Sequence, residues 1–166
     1  MKLRTILETL TTKPNEYTKK YDSKNIKEYE FDFKDIEGET RSITVGLVAI
    51  KEIFAYGVNI YEVDFEEKSS EDYEATNYGN ADVVFATIID IVKNFLLDKS
   101  IDGVAFRDLK EGKRMKIYKI LSNQFLGSEF EKIQGTIYED EFIFIVRKEK
   151  KETLLRAIKK FNKKGK

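Results

Sequence analysis

Apolar residues recur with a helical period over one long segment of this chain, Ala81–Leu97. Val84, Ile88, Ile91 and Phe95 lie three or four positions apart, and no proline or glycine interrupts the segment. Only a narrow edge of the segment is polar. A helix that is apolar on nearly all sides is buried within a domain, so we predict a central helix packed against a sheet.

Apolar and polar residues alternate in the segments before this helix, which is the pattern of half-buried strands. We predict three antiparallel strands, at Lys27–Lys34, Arg41–Ile50 and Ile53–Phe65. The turn Glu37–Glu39 joins the first two strands in a hairpin. Toward the N-terminus, the sequence predicts an amphipathic helix at Met1–Leu10 and a polar loop at Thr11–Asp22.

The elements predicted after the central helix are a strand, a helix, two strands and a helix. They lie at Val104–Phe106, Arg114–Phe125, Phe130–Ile137, Glu141–Lys148 and Lys150–Lys163. Because a helix connects Ile53–Phe65 to Val104–Phe106, these two strands are expected to be parallel. The predicted fold is mixed α/β: an N-terminal helical arm and linker at 1–25, one domain at 26–148, and a basic C-terminal helix at 149–166.

Composition excludes several kinds of site. The chain has 166 residues with no cysteine and no histidine, which rules out disulfides, thiolate sites and histidine-based catalysis. The carboxylates show no metal-loop spacing, so no metal site is predicted. The start of the chain lacks the apolar core of a signal peptide and no segment is apolar enough to span a bilayer, so we expect a cytoplasmic protein without a membrane partner.

Positive charge is concentrated at the end of the chain. Lys148–Lys166 holds nine basic and two acidic residues, although the whole chain has a net charge of zero. Four lysines of the terminal helix could contact the phosphates of a nucleic acid: Lys159, Lys160, Lys163 and Lys164. The alternative is a solvated amphipathic helix, with Leu154, Leu155, Ile158 and Phe161 facing inward.

The segment Thr76–Ala81 resembles a motif of the GNAT acyltransferase superfamily, Arg/Gln-x-x-Gly-x-Gly/Ala, before a central helix. This resemblance implies a GNAT-like fold in which Gly79, Asn80 and Ala81 bind the pyrophosphate of acetyl-CoA at the helix N-terminus. It also implies that Tyr118 protonates the leaving thiolate. The alternatives are a helix start capped by Asn80 and a half-buried aromatic residue at position 118.

Acidic residues alternate along the strand that precedes this segment. Glu62, Asp64 and Glu66 share one face, where a carboxylate could deprotonate an amine, and Asp64 is the candidate base. The alternative is the solvent-exposed face of a strand.

The chain is also similar to small uncharacterised proteins of tailed bacteriophages. The similarity lies in a strand, a Gly-containing loop, the start of the central helix and an Arg-x-x-x-Tyr motif. In this chain these are Tyr61–Phe65, Thr76–Ala81, Val84–Val92 and Arg114–Tyr118. This resemblance implies a phage or prophage source, in the host cytoplasm or the virion, and a GNAT-like fold without an established activity.

The residues around the presumed cofactor loop depart from the acyltransferase pattern. Thr76 replaces the basic or amide residue, and Asp82 stands where its carboxylate would compete with a pyrophosphate. We therefore expect first a non-catalytic phage protein, without a cofactor, that binds a phage or host protein. An acetyl-CoA-dependent N-acyltransferase is the second hypothesis, and a nucleic-acid-associated protein acting through the basic tail is the third.

Overall fold

The computed structural model describes residues 12–67, 81–108 and 115–164. Their seven strands form one mixed sheet in the order β1-β2-β3-β4-β5-β7-β6. The strands are β1 (Thr18–Asp22), β2 (Ile26–Lys34), β3 (Thr40–Ala49), β4 (Ile60–Glu67), β5 (Gly103–Asp108), β6 (Phe130–Ile137) and β7 (Asp140–Arg147). The helices are α1 (Lys51–Phe54), α2 (Ala81–Phe95), α3 (Met115–Ser122) and α4 (Lys151–Lys164). The predicted mixed α/β class and the order of its main elements are confirmed.

The first of two compact units comprises residues 1–47 and 64–94. Its edge strand β1 corrects the sequence-based expectation, which placed a loop over Thr11–Asp22. β1 pairs antiparallel with β2 and shifts register between Lys19 and Tyr21. All five of its side chains are exposed, so its sequence shows no alternation of buried and exposed residues. The strand forms through backbone pairing with β2, which the sequence pattern does not report.

The central helix α2 is confirmed and is deeply buried in the first unit. Val84, Phe85 and Ile88 are almost completely shielded from solvent. Thr87 is buried as well, and its hydroxyl donates to the Val83 carbonyl oxygen at 2.8 Å and accepts the Asn15 N–H at 2.9 Å. The buried Thr87 hydroxyl is therefore satisfied both as a donor and as an acceptor.

The second unit comprises residues 48–63 and 95–166. Here β4 and β5 are parallel, as predicted, and β5 then pairs antiparallel with β7 along its whole length. Gly103 lies where the backbones crowd together, since a Cβ atom there would come within 2.1 Å of the Ile145 carbonyl oxygen. Only glycine fits this close approach.

Two local predictions in the second unit were wrong. Ile53 lies in the short helix α1 and not in a strand, and β4 begins at Ile60 after a turn in which Gly57 has a φ of 83°. On α4, Leu155 is 38% exposed, and Ala157 is buried beside Leu154 and Ile158. The predicted strands at the end of the chain and the helix α3 are confirmed. The division at residues 25 and 148 stays a prediction, and the predicted helix Met1–Leu10 lies outside the described residues.

Candidate functional site

The carboxyl end of β5 is the part of the second unit that best fits a functional site. β5 pairs with β4 over three residues, Gly103–Ala105, and continues through Phe106, Arg107 and Asp108. Over this extension β5 remains paired with β7. Open α/β sheets bind ligands outside the carboxyl ends of their parallel strands, so the side chains of this extension are the first candidates.

Arg107 is engaged by side chains of its own unit. Its Nη2 lies 2.6 Å from Glu62 Oε1 on β4, and its Nη1 lies 3.5 Å from Asp140 Oδ2 on β7. The guanidinium carbon also lies 5.1 Å from the centre of the Phe142 ring. Arg107 therefore links three strands and is already neutralised, which removes it as a ready binding group for an acidic ligand.

Asp108 has the opposite environment. Its residue is only 9% exposed, yet among the described residues no group donates a hydrogen bond or a positive charge to its carboxylate. Burial, and then the nearby charge of Glu141, its partner across the strand pair, raise the pKa of the Asp108 carboxyl. A buried acid with a raised pKa at the end of a parallel strand is a candidate proton acceptor.

Tyr118 lies on the same face of β5 as Asp108. It is 4% exposed, and its ring centre lies 5.3 Å from that of Phe106, with 30° between the planes. Phe106 and Asp108 are two positions apart on the strand and so share a face. The structure thus brings the predicted acid Tyr118 to the face that carries Asp108, a residue that sequence reasoning missed.

The remaining predicted site residues lie elsewhere or outside the described part of the chain. Asp64 is an exposed residue of β4 in the first unit. Gly79 and Asn80 fall outside the described residues, and Ala81 is the first residue of α2. Lys159 and Lys160 are exposed on α4. Lys163 and Lys164 belong to the same helix, but their side chains lie outside the described set.

The first turn of α2 carries an acidic side chain. Asp82 lies in the first helical turn and accepts a hydrogen bond of 3.2 Å from the Thr12 hydroxyl. Its negative charge occupies the end of the helix where an anion would otherwise be favoured. No basic residue lies between Ala81 and Asp90 to offset it.

Metal and membrane sites find no support in the residues that the structure describes. No group of three or more carboxylate, histidine or cysteine side chains is placed to hold a metal ion there. Within the same ranges, no helix combines the length and apolar character that crossing a bilayer requires.

Comparison with known proteins gives one structural likeness. No protein-family model matches the chain, and no curated protein sequence matches it. The chain resembles a solved variant of the spermidine N-acetyltransferase SpeG from Vibrio cholerae, with a TM-score of 0.42 and 10% sequence identity. The likeness covers 81% of this chain and 72% of the acetyltransferase.

Proposed function

We propose that this chain is a phage-encoded protein that uses a GNAT-like scaffold to bind another protein and does not catalyse acyl transfer. The observation that carries the proposal is the state of Arg107 and Tyr118. Arg107 is engaged by Glu62 and Asp140, and the Tyr118 ring is packed on Phe106. Both groups are used to hold the second unit together.

The start of the central helix supports the same proposal. Asp82 lies in the first turn of α2, the helix end at which the GNAT resemblance implies the pyrophosphate of acetyl-CoA, and its carboxylate would compete with that group. The partner is a phage or host protein, bound in the bacterial cytoplasm or in the virion. The resemblance of residues 61–65, 76–81, 84–92 and 114–118 to tailed-phage proteins supports this source.

A thermal-shift titration tests the absence of cofactor binding. A ligand at about 100 times its Kd stabilises a folded protein by about 2.7 kcal/mol, which is several degrees in Tm for a chain of this size. We expect no shift with millimolar acetyl-CoA or with inorganic pyrophosphate as the control. A shift with acetyl-CoA alone would overturn the proposal.

Crosslinking of the tagged chain during phage infection identifies a candidate partner. Reconstitution of the complex from the two purified proteins then tests whether they bind directly.

Asp108 favours a second candidate function, N-acyl transfer from acetyl-CoA to an amine. In that reaction the amine nitrogen attacks the thioester carbon, Asp108 accepts the amine proton, and the carbon–sulfur bond breaks. Tyr118 then gives its hydroxyl proton to the thiolate. The buried, unpaired state of Asp108 makes it a better base than the exposed Asp64 proposed from sequence.

Release of free thiol from acetyl-CoA, measured with a panel of amines, tests this candidate. If the chain is an acyltransferase, Asp108→Asn lowers the rate by about 100-fold or more, whereas Asp64→Asn leaves it nearly unchanged. If Asp64→Asn lowers the rate and Asp108→Asn does not, the general base is Asp64. Thiol release at the rate of the uncatalysed reaction, with a folded protein, would exclude the candidate for those amines.

A further inference from the structure

Strand β6 forms one edge of the sheet, and half of its main-chain groups face away from the sheet. The Lys148 N–H donates to the Glu129 carbonyl oxygen at 3.0 Å, which continues the unbroken β6–β7 register by one pair. In an antiparallel ladder the hydrogen-bonded pairs recur at every second residue, so the odd-numbered residues of β6 bond to β7. The even-numbered residues therefore point their N–H and C=O groups outward: Phe130, Lys132, Gln134 and Thr136.

The end of this edge is already occupied by a side chain of α4. Asn162 Nδ2 donates to the Thr136 carbonyl oxygen, and Asn162 Oδ1 accepts the Tyr138 N–H at 3.2 Å. Both are outward groups to which the N–H and C=O groups of a neighbouring strand would otherwise bond. The Asn162 carboxamide thus takes the place of such a strand here, and any strand that pairs with β6 has to stop before Thr136.

The opposite edge of the sheet, β1, is protected against pairing with another chain. It has only five residues, and Lys19, Lys20 and Asp22 give it three charged side chains. Its register with β2 also shifts between Lys19 and Tyr21. Short length, charged side chains and irregular register are the usual ways in which an edge strand avoids pairing with another chain.

β6 lacks most of this protection. It has eight residues in continuous register with β7 and contains no proline. Its two charged side chains are held by the same chain: Glu131 pairs with Lys151 at 3.0 Å, and the Lys132 ammonium donates to Asn123 Oδ1 at 2.9 Å. Among the described strands, none pairs with the outer side of β6. β6 is therefore the edge at which the sheet can be extended.

A second copy of β6 matches the outward groups of this edge. If two β6 strands pair antiparallel about a two-fold axis at Lys132, then Lys132 lies opposite its own copy and Phe130 lies opposite Gln134. All N–H and C=O groups of these residues are then bonded in both copies, because every pair is of the hydrogen-bonded kind. An axis one or two residues further along β6 would place Phe130 or Lys132 opposite Thr136, whose carbonyl oxygen Asn162 already occupies.

We propose that two copies of the chain associate through β6, in an antiparallel pair centred on Lys132 that extends the sheet from one copy into the other. A second copy is the occupant because it supplies matching donors and acceptors over the same stretch and stops at the same Asn162 carboxamide. Each Lys132 ammonium is bonded to Asn123 of its own chain, although like charges opposite each other still weaken the pairing. This association does not depend on the proposed binding of a phage or host protein.

Sedimentation equilibrium of the full-length chain tests the proposal and should show a reversible equilibrium between monomer and dimer. Gln134→Pro removes an outward N–H but none of the bonds to β7, and an edge strand tolerates proline at such a position. It should weaken dimerisation at least tenfold, because each copy loses a hydrogen bond. Gln134→Ala keeps the N–H and should dimerise like the wild type. Urea unfolding of both variants checks that they are folded.

The register is tested with single cysteines, since the chain has none of its own. Under mild oxidation Lys132→Cys should form a disulfide-linked dimer, because the Cα atoms of a hydrogen-bonded pair lie about 5.5 Å apart, a distance that a disulfide spans. Gln134→Cys is the matched control. Its two copies are offset by about 14 Å along the strands, so it should stay reduced. Lys132→Gln should strengthen dimerisation, because it removes the two opposed charges.

Asn162→Ala tests whether the carboxamide of Asn162 sets the register. The variant frees the Thr136 carbonyl oxygen, so the two strands can also pair about an axis at Gln134. When Asn162→Ala is combined with Gln134→Cys, the disulfide-linked dimer should therefore form.

Four results would overturn the proposal. They are a monomer at every concentration, a dimer that the folded Gln134→Pro variant leaves unchanged, equal crosslinking of Lys132→Cys and Gln134→Cys, and a monomeric chain that pairs through β6 with a different protein. The last would assign this edge to a partner protein.

Discussion

The two ends of the β5–β7 strand pair each bury a charged side chain, but they treat the charge in opposite ways. At one end, Arg147 is 4% exposed and its guanidinium donates to the carbonyl oxygens of Ile101 and Leu96, each at 2.8 Å. It also pairs with Glu129 at 2.9 Å and lies over the Phe130 ring. At the other end, Asp108 is 9% exposed, and no described residue donates to its carboxylate, whose oxygens still reach solvent.

This difference separates a structural charge from a functional candidate. A buried charge that is fully hydrogen-bonded can be explained by the contacts it makes, as Arg147 ties the end of β7 to the segment Leu96–Ile101. A buried charge without such contacts lowers the stability of the fold and needs another explanation. On this strand pair, Asp108 is therefore the candidate functional charge, and Arg147 is the structural charge with which it can be compared.

Arg147→Ala should have the largest effect. It takes the Arg147 donors away from two buried carbonyl oxygens and removes one of the two cations that pair with Glu129, at a cost of about 3–5 kcal/mol in the free energy of unfolding. The Tm should fall by about 10 °C. Urea unfolding measures the change, with Arg147→Lys as an intermediate control. A loss below about 1 kcal/mol would show that Arg147 is not the structural anchor described above.

Asp35→Ala should come next, because Asp35 is a buried carboxylate with donors. It accepts bonds from Arg41 at 2.7 Å and from the N–H groups of Glu37 and Glu39 at 2.9 Å. The bond from Arg41 is the main cause of its lowered pKa. The stabilisation is therefore present above the unfolded pKa of about 4 and is lost as pH falls through the folded pKa. Urea unfolding at neutral pH and in acid measures this. The difference in the free energy of unfolding between wild type and Asp35→Ala should be smaller in acid.

Asp108→Asn should change stability in the opposite direction. The raised pKa means that the ionised carboxylate opposes folding, so the neutral amide should increase the free energy of unfolding by about 1 kcal/mol at neutral pH. Wild type loses stability relative to the variant as pH rises from about 4 through the folded pKa. Parallel unfolding curves from pH 3 to 8 measure this. A destabilised Asp108→Asn protein at neutral pH would make Asp108 a structural residue.

The sequence predicted those parts of the molecule in which burial leaves a pattern. Helical period identified α2, and alternation identified β2, because their core-facing side chains recur at regular intervals along the chain. β1 was missed because its side chains are all exposed and only its backbone pairs with β2. Leu155 was wrongly assigned to the buried face of α4, because an apolar side chain can also remain exposed to solvent. Asp108 was missed for a different reason: its burial and lack of a partner depend on β7 and Glu141, which are distant in sequence.

Glu141→Gln should have the smallest effect and shows whether Asp108 and Glu141 interact. Their Cα positions pair across β5 and β7, and the charge of Glu141 contributes to the raised pKa of Asp108. Removing that charge should stabilise the protein by a few tenths of a kcal/mol, because like charges directly opposite in a sheet repel. In the double variant with Asp108→Asn this gain should vanish, since no second charge is left to repel. Additive effects in urea unfolding would mean that burial alone raises the Asp108 pKa, and that Glu141 has no part in the candidate site.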